Sequence, residues 1–459
     1  MPIIRPQDLV EHALAETASE ECIVIVGDST SANLRWANNT LTTNGVMQGI
    51  DVTVIAFSGA GNASVSGTAA SPKQVSALVE QADAAARLAQ QAEDRAPLLG
   101  AATSPDWDDE PAATSIGVYT DFARALGAGF EEAESAGRIL YGFVNHEVTT
   151  TYVGSSTGLR LRHVQPTGHY GCTGKTADLS SSAWVGGATR DFSDVSARQM
   201  TADLTTRLGW AARRTDLPAG RYDTVLPPTA VADLMIDVYW AAGARVAHEG
   251  QSVYSRSGGG TRIGERIARE TVTLFSDPAY AGLECAPFVI ASGSSNSESV
   301  YDNGIALGRT EWLRDGTLAA LLQTRETAQL TGEPTTPGID NLVLEVSGGS
   351  GSTEDLVAGM DDGLLLTCLW YIREVDPQTL LLTGLTRDGV YRVQGGEITG
   401  AVNNFRFNES PVDLLRRFTA ASATVPSFSR EWGDDYFSRT ATPALRVPDF
   451  NMSSVSQAL

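Results

Sequence analysis

The stretch Ala247-His248-Glu249-Gly250-Gln251-Ser252-Val253-Tyr254 closes a helical pattern that starts at Pro228, and it holds the chain's most informative pair of side chains. Histidine followed by glutamate opens the motifs of zinc peptidases, because a neutral imidazole binds the metal while the adjacent carboxylate takes a proton from metal-bound water. Such a site needs at least two further protein ligands. The HExxH spacing requires histidine at position 252 and the HExxxH spacing requires it at 253, where this chain has Ser252 and Val253. Neither form is complete, and the pair alone has low specificity, since His146-Glu147 repeats it. Positions five apart also lie about 140° apart around a helix, so HExxxH needs a local distortion. Gly250, in the weakly helical Gly-Gln-Ser sequence, suits a helix end instead.

Other short motifs have simpler readings. Ser58-Gly59-Ala60-Gly61-Asn62 follows a strand but leads into another, which favours a hairpin turn over a dinucleotide loop. Gly174-Lys175-Thr176 ends like a phosphate loop, yet the required upstream glycine is His169 and no helix pattern follows. Gly154-Ser155-Ser156-Thr157-Gly158 matches a nucleophile elbow in letters only, because Leu159-Arg160-Leu161-Arg162 alternates like a strand. Ser352-Thr353-Glu354-Asp355, after a glycine-rich run, reads as the cap of a short helix through Met360. His163, His169 and Cys172 share one glycine-rich region and have zinc-compatible donors, but isolated histidines on a strand meander serve packing more often than metal.

The chain has 459 residues, too many for one ordinary core, and periodicity divides it into three units. Residues 1–95 read as an α/β domain: a helix from Pro6, a buried strand at Cys22-Ile23-Val24-Ile25-Val26, further strands, and a long helix from Ser71-Pro72 to about Glu93. Residues 94–113, with three prolines and the acidic Asp106-Trp107-Asp108-Asp109-Glu110, read as a surface linker. Residues 114–215 read as helices around an antiparallel meander, and 220–459 as one strong helix followed by a β-rich domain.

Lys and Arg total 33 against 55 Asp and Glu, a net charge of -22, which repels polyanions and argues against nucleic acid or anionic membranes as partners. No apolar run is long enough to span a bilayer, and the opening Ile3-Ile4-Arg5-Pro6 has no basic segment before an apolar stretch, so a cytoplasmic location is expected. Four scattered cysteines, Cys22, Cys172, Cys285 and Cys368, suggest reduced structural thiols.

From position 222 onward the chain resembles the TldD/TldE (PmbA) peptidase family. The resemblance rests on an ordered series: Tyr222-Asp223-Thr224-Val225-Leu226-Pro227 before the helix, Thr273-Leu274-Phe275-Ser276-Asp277-Pro278, Tyr301-Asp302-Asn303-Gly304-Ile305, Asp362-Gly363-Leu364-Leu365, and the hairpin from Asp388 to Ile398. Catalytic members carry HExxxH at this helix end and a cysteine ligand near the C-terminus. Carried over by resemblance, the first ligand matches His248 and the general base Glu249, while Val253 stands at the second ligand position. No cysteine follows Cys368, and Phe428-Ser429-Arg430-Glu431 stands where the third ligand belongs. The resemblance thus implies a TldE-like subunit of a zinc metallopeptidase complex, with His248 and Glu249 as remnants and no metal or other cofactor in this chain. Zinc is expected in a TldD-like partner, and the pair would cleave unfolded or small peptides, including a peptide-derived precursor. The alternatives are an autonomous, metal-independent enzyme using Glu249 and His248, or a peptide-binding scaffold.

Overall fold

A computed structural model describes residues 5–433 and 439–456, so Ile3 and Ile4 lie outside the described residues. The N-terminal half is built on two long strands, β1 (Glu21–Ala37) and β2 (Thr40–Ser58), joined through Asn38 and Asn39. Both asparagines have positive φ, 51° and 58°, the geometry of a tight hairpin whose twist matches the strands. β1 also pairs antiparallel with β5 (Arg138–Ser155), which pairs with β6 (Leu159–Thr176) and through it with β7 (Ser182–Thr189); β3 (Gly61–Thr68) closes the other side against β2.

Alternation gives this sheet two buried faces. On one, Cys22, Val24, Val26, Val52 and Val54 pack beneath α1 (Pro6–Glu16) and α2 (Pro72–Leu88), and further along Leu34 and Trp36 pack with Phe122 of α3 (Thr120–Ser135) and Met200 of α4 (Ala197–Trp210). On the other, Ile23, Ile25, Ile55 and Phe57 meet Phe288, Val300 and Tyr301 of the C-terminal half. α2 is capped by Ser71 as its sequence predicts but stops at Leu88, short of Glu93. The strings at 58–62 and 154–158 form the turns between β2 and β3 and between β5 and β6, and Gly174-Lys175-Thr176 ends β6.

The stretches 1–95 and 114–215, read as separate units from periodicity, contribute strands to this one sheet. The connection between them is not a free linker. Ala102–Thr103, β4, adds parallel to the start of β6. Trp107 is buried edge-on against Tyr152 at 5.6 Å, Asp106 pairs with Arg162 at 2.7 Å, and Gln7 Nε2 donates to the carbonyls of Trp107 and Asp109. Burying an indole outweighs the acidic character of its neighbours, because Asp108, Asp109 and Glu110 stay exposed around it.

The C-terminal half holds two sheets. In the larger, β9 (Gly220–Leu226) lies between Leu445–Val455 and Asp362–Leu366; beyond these follow the strands up to Leu369–Asp376 on one side and β8 (Arg214–Thr215) on the other. The smaller runs from Thr317–Leu318 through Val272–Ser276 and Leu342–Val346 to Val425–Ser427. Helix α5 (Pro228–Trp240) joins both: Leu234, Met235 and Val238 belong to one core with Leu364, Phe405 and Phe407 from the larger sheet and Leu274, Leu342 and Leu344 from the smaller. The single helix expected from Pro228 to His248 is broken at 241–243, where Gly243 is extended and bridges to Leu322; a short α6 (Ala244–His248) follows. Ser352 and Asp355 form the expected reciprocal cap, on the helix Thr353–Ala358. No helix among the described residues is long and apolar enough to cross a membrane.

If 94–113 is part of the sheet's packing, Trp107→Ala should lower the unfolding free energy by roughly 3 kcal/mol in chemical denaturation and open the segment to protease. A loose linker would leave stability within about 0.5 kcal/mol of wild type.

Candidate functional site

α6 ends in a Schellman arrangement. The Gln251 N–H donates to Val246 O at 2.9 Å and the Gly250 N–H to Ala247 O at 3.3 Å, with Gly250 at φ +83°, a conformation that glycine adopts without a Cβ penalty. The chain then turns back along α5. Ser252 Oγ donates to Ala241 O, the Tyr254 hydroxyl donates to Val238 O at 2.8 Å, and the Val253 side chain sits in the central core, 7% exposed. His248 is half-buried. Glu249 is exposed and lies 3.8 Å from Arg245, whose stronger contact is with Glu326 at 2.6 Å.

The segment 428–432, where the resemblance puts the third ligand, packs against α5. Ser429 Oγ and the Glu431 N–H both donate to Asp233 Oδ1, at 2.8 and 2.9 Å, and Trp432 packs on Trp240 with ring centroids 4.9 Å apart. Glu431 reaches the other way and accepts from the Ile372 N–H at 3.1 Å, while the Arg430 guanidinium lies over Trp370 and 5.3 Å from the Trp184 ring. Asp233 is fully buried, and its Oδ2 has no partner among the described residues. Burial pushes its carboxyl up to about 8 and that of Asp237, one turn later, up to about 7; Glu431 is raised by the same cause. A protonated Asp233 keeps both accepted hydrogen bonds on one oxygen and avoids an unpaired charge in the core. The arrangement fastens a turn to a helix.

These residues do not fit zinc. The position that the resemblance gives the second ligand holds an apolar side chain committed to the core, the segment 428–431 to which it gives the third holds no histidine or cysteine, and among the described residues no three His, Cys, Asp or Glu side chains are gathered as a metal site requires. No hydrogen bond or ion pair joins 428–432 to His248 or Glu249 among the described residues. The other zinc candidates are kept apart along and across β6: His169 stacks on Phe428, Cys172 points into the opposite, helix-covered face where burial pushes its thiol up to about 12, and His163, six residues along the strand from His169, bonds Gln165. His146 is buried and bonded to Thr114 Oγ1 and Arg190 O.

The feature missed in the sequence is a cleft of about 850 Å³ between the halves. Its walls are β6, β7 and α4 on one side and the start of α5 with residues 425–428 on the other; Tyr170, Arg190, Arg207, Trp210, Glu284 and Arg439 face it, whereas His248 and Glu249 do not. Gly186-Gly187 makes room in β7 for two rings at this wall: a Cβ on Gly187 would come within 2.8 Å of the Tyr170 ring, and one on Gly186 would strike the Trp184 ring. That dipeptide was the one legible signal of a close approach.

Residues 219–454, just over half the chain, match the PmbA/TldA metallopeptidase C-terminal domain. A metalloprotease of Methanothermobacter thermautotrophicus is 27% identical over 194 residues, which are 42% of this chain and 36% of that protein, so the match spans only about a third of the relative's length. Among solved structures, TldE from Thermococcus kodakarensis superposes with a TM-score of 0.78 at 15% identity, covering 97% of this chain and 99% of the other. A protein from Thermotoga maritima described as a candidate modulator of DNA gyrase gives 0.77 at 16% identity, with 97% and 99% covered. At such identities these two likenesses establish the fold.

Two outcomes are expected. The purified chain should carry no stoichiometric zinc by elemental analysis; about one zinc per chain, lost on His248→Ala, would overturn this. The raised folded-state carboxyl of Asp233 means the native protein holds a proton that the unfolded chain releases, so stability should fall as pH rises from about 4 to about 8, at about 1.4 kcal/mol per unit for this one group. Asp233→Asn keeps the Oδ1 acceptor and should flatten the pH dependence of the unfolding midpoint; an unchanged slope would show that Asp233 is ionised in the fold.

Proposed function

The chain belongs to the PmbA/TldD metallopeptidase family, and from that membership we propose that it is a TldE-like subunit without metal, paired with a TldD-like zinc subunit in a complex that cleaves unfolded or small peptides. The observation that carries this reading is the placement of Val253. The residue at the second ligand position is built into the core beneath α5, so restoring a metal site would mean repacking the domain rather than filling an open seat.

Without a metal, the pair His248 and Glu249 faces ordinary water. Metal-bound water has a pKa of about 7 against about 15.7 for bulk water, so a lone carboxylate is too weak a base to generate a useful nucleophile. What this chain supplies instead is shape. The cleft between the halves is large enough for an extended peptide of a few residues, and both charge signs line it, with Arg190 and Glu284 paired across its rim. Exposed Trp240 and Tyr371, 37% and 50% accessible, give the C-terminal half apolar surface near the Ser429 turn that suits a partner. The proposed division of labour leaves bond breaking to the partner's zinc, and peptide contacts and closure of the chamber to this subunit.

Assayed alone on an unstructured peptide, the chain should be inactive. With a TldD-like subunit, cleavage should appear, should vanish with chelator, and should survive Glu249→Gln here but not loss of the partner's own glutamate. Chelator-insensitive cleavage by the isolated chain, abolished by Glu249→Gln, would instead establish an autonomous enzyme.

A further inference from the structure

Formal charge is unevenly matched in the cleft between the halves. Arg190 and Glu284 pair across its rim and cancel each other. Among the described residues that line it, this leaves Arg207 and Arg439 against four carboxylates, those of Asp191, Asp194, Asp203 and Glu354. Both arginines are turned to the walls. The Arg207 guanidinium donates to the Trp184 carbonyl, and Arg439 donates to the Asp340 carbonyl at 2.9 Å and to Thr167 Oγ1 at 3.2 Å. The acids are held by uncharged donors: Asp191 accepts from Ser193, Asp194 from Thr189 and Asp203 from Gln199, while Glu354 is exposed. Walls of low dielectric focus the field of a cleft, so an excess of carboxylates there counts for more than the same charges on open surface.

Aromatic rings stand beside these charges. Asp203, Arg207 and Trp210 recur at helical spacing on one face of α4, and that face is a wall of the cleft. Tyr170, on β6, lies near the same acids: burial first, and then the charges of Asp203 and Asp194, raise its hydroxyl above the usual range. A carboxylate next to an aromatic ring suits an ammonium or guanidinium, because the ring face attracts the cation and the carboxylate supplies the opposite charge. An apolar side chain would gain the ring alone, and an acidic one would meet like charge.

We propose that the cleft selects cationic peptide segments, taking an extended chain that carries lysine or arginine and seating the charged side chain against the Tyr170 ring and the Asp203 carboxylate. The inference rests on the reading of the cleft as a peptide site and adds the class of peptide it takes. The net charge of -22 draws cations to the whole surface as well, so a test has to separate the cleft from the surface around it.

Three unstructured peptides of about eight residues, alike except that the central pair is lysine, glutamine or glutamate, can be titrated into the full chain and followed by fluorescence anisotropy. At about 50 mM salt the lysine peptide should bind at least about tenfold more tightly than the glutamate peptide, with glutamine between them, and the gap should close to about twofold at about 0.5 M. Asp203→Asn should narrow the gap at least about threefold. Glu131→Gln removes the same charge from an exposed position on α3, outside the cleft, and should leave the gap unchanged. Equal binding of the three peptides, a preference for glutamate, a gap eroded as much by Glu131→Gln as by Asp203→Asn, or no binding at all would each overturn the assignment. Equal binding would leave the subunit's role in cleavage standing, since that role is read from activity with a TldD-like partner; a lysine preference without such activity would overturn the role and keep the selectivity.

Discussion

Helix α5 leaves water almost no access, and the C-terminal half is arranged around that condition. Eight of its apolar residues, from Ala230 to Tyr239, are buried. A helix that is apolar on every side has to be enclosed, and here the enclosure comes from two sheets, one holding the strand just before the helix and the other the strands after it. The two acids on the same helix then become the constraint. Asp233 is fully buried and Asp237 partly so, and the turn at 429–431 answers the first of them with a hydroxyl and a backbone N–H.

That solution bears on chemistry. In the segment 428–431, to which the resemblance gives the third ligand, Ser429 donates its hydroxyl to the buried carboxyl of Asp233. At the position that the resemblance gives a second imidazole, Val253 fills the core. Each replacement is integrated with packing, so the departures from the metal motif are held by the same contacts that hold the domain together. Arg430, between Trp184 of the first half and Trp370 of the second, extends this lock across the cleft, and the His169 stack on Phe428 does the same.

The N-terminal sheet follows another logic. It is covered on one face by four helices and on the other by the C-terminal half, so its core positions are settled by alternation along β1 and β2. What it leaves open is lateral: the stretch 40–49 of β2 beyond the reach of β3, and the outer edge of β7 beside the cleft. Edges and glycines are the places where a sheet can accept another chain without disturbing its core.

Sequence by itself determined the local elements and the broken motif. A buried apolar run marked β1, β-prone runs marked the meander of β5 and β6, Ser71-Pro72 and Ser352 marked helix starts, and the absence of histidine at 252 and 253 was readable letter by letter. These signals are local, arising from dihedral preference and the side on which each residue falls. Tertiary structure alone decided the rest. Trp107 turned an acidic, proline-rich linker into part of the sheet because its partner Tyr152 lies 45 residues away, and Gly243 split the long helix because Leu322 was there to bridge it. The cleft, the raised carboxyl of Asp233 and the uncovered edge of β2 depend on which distant strands arrive beside which, and no spacing within one segment encodes that.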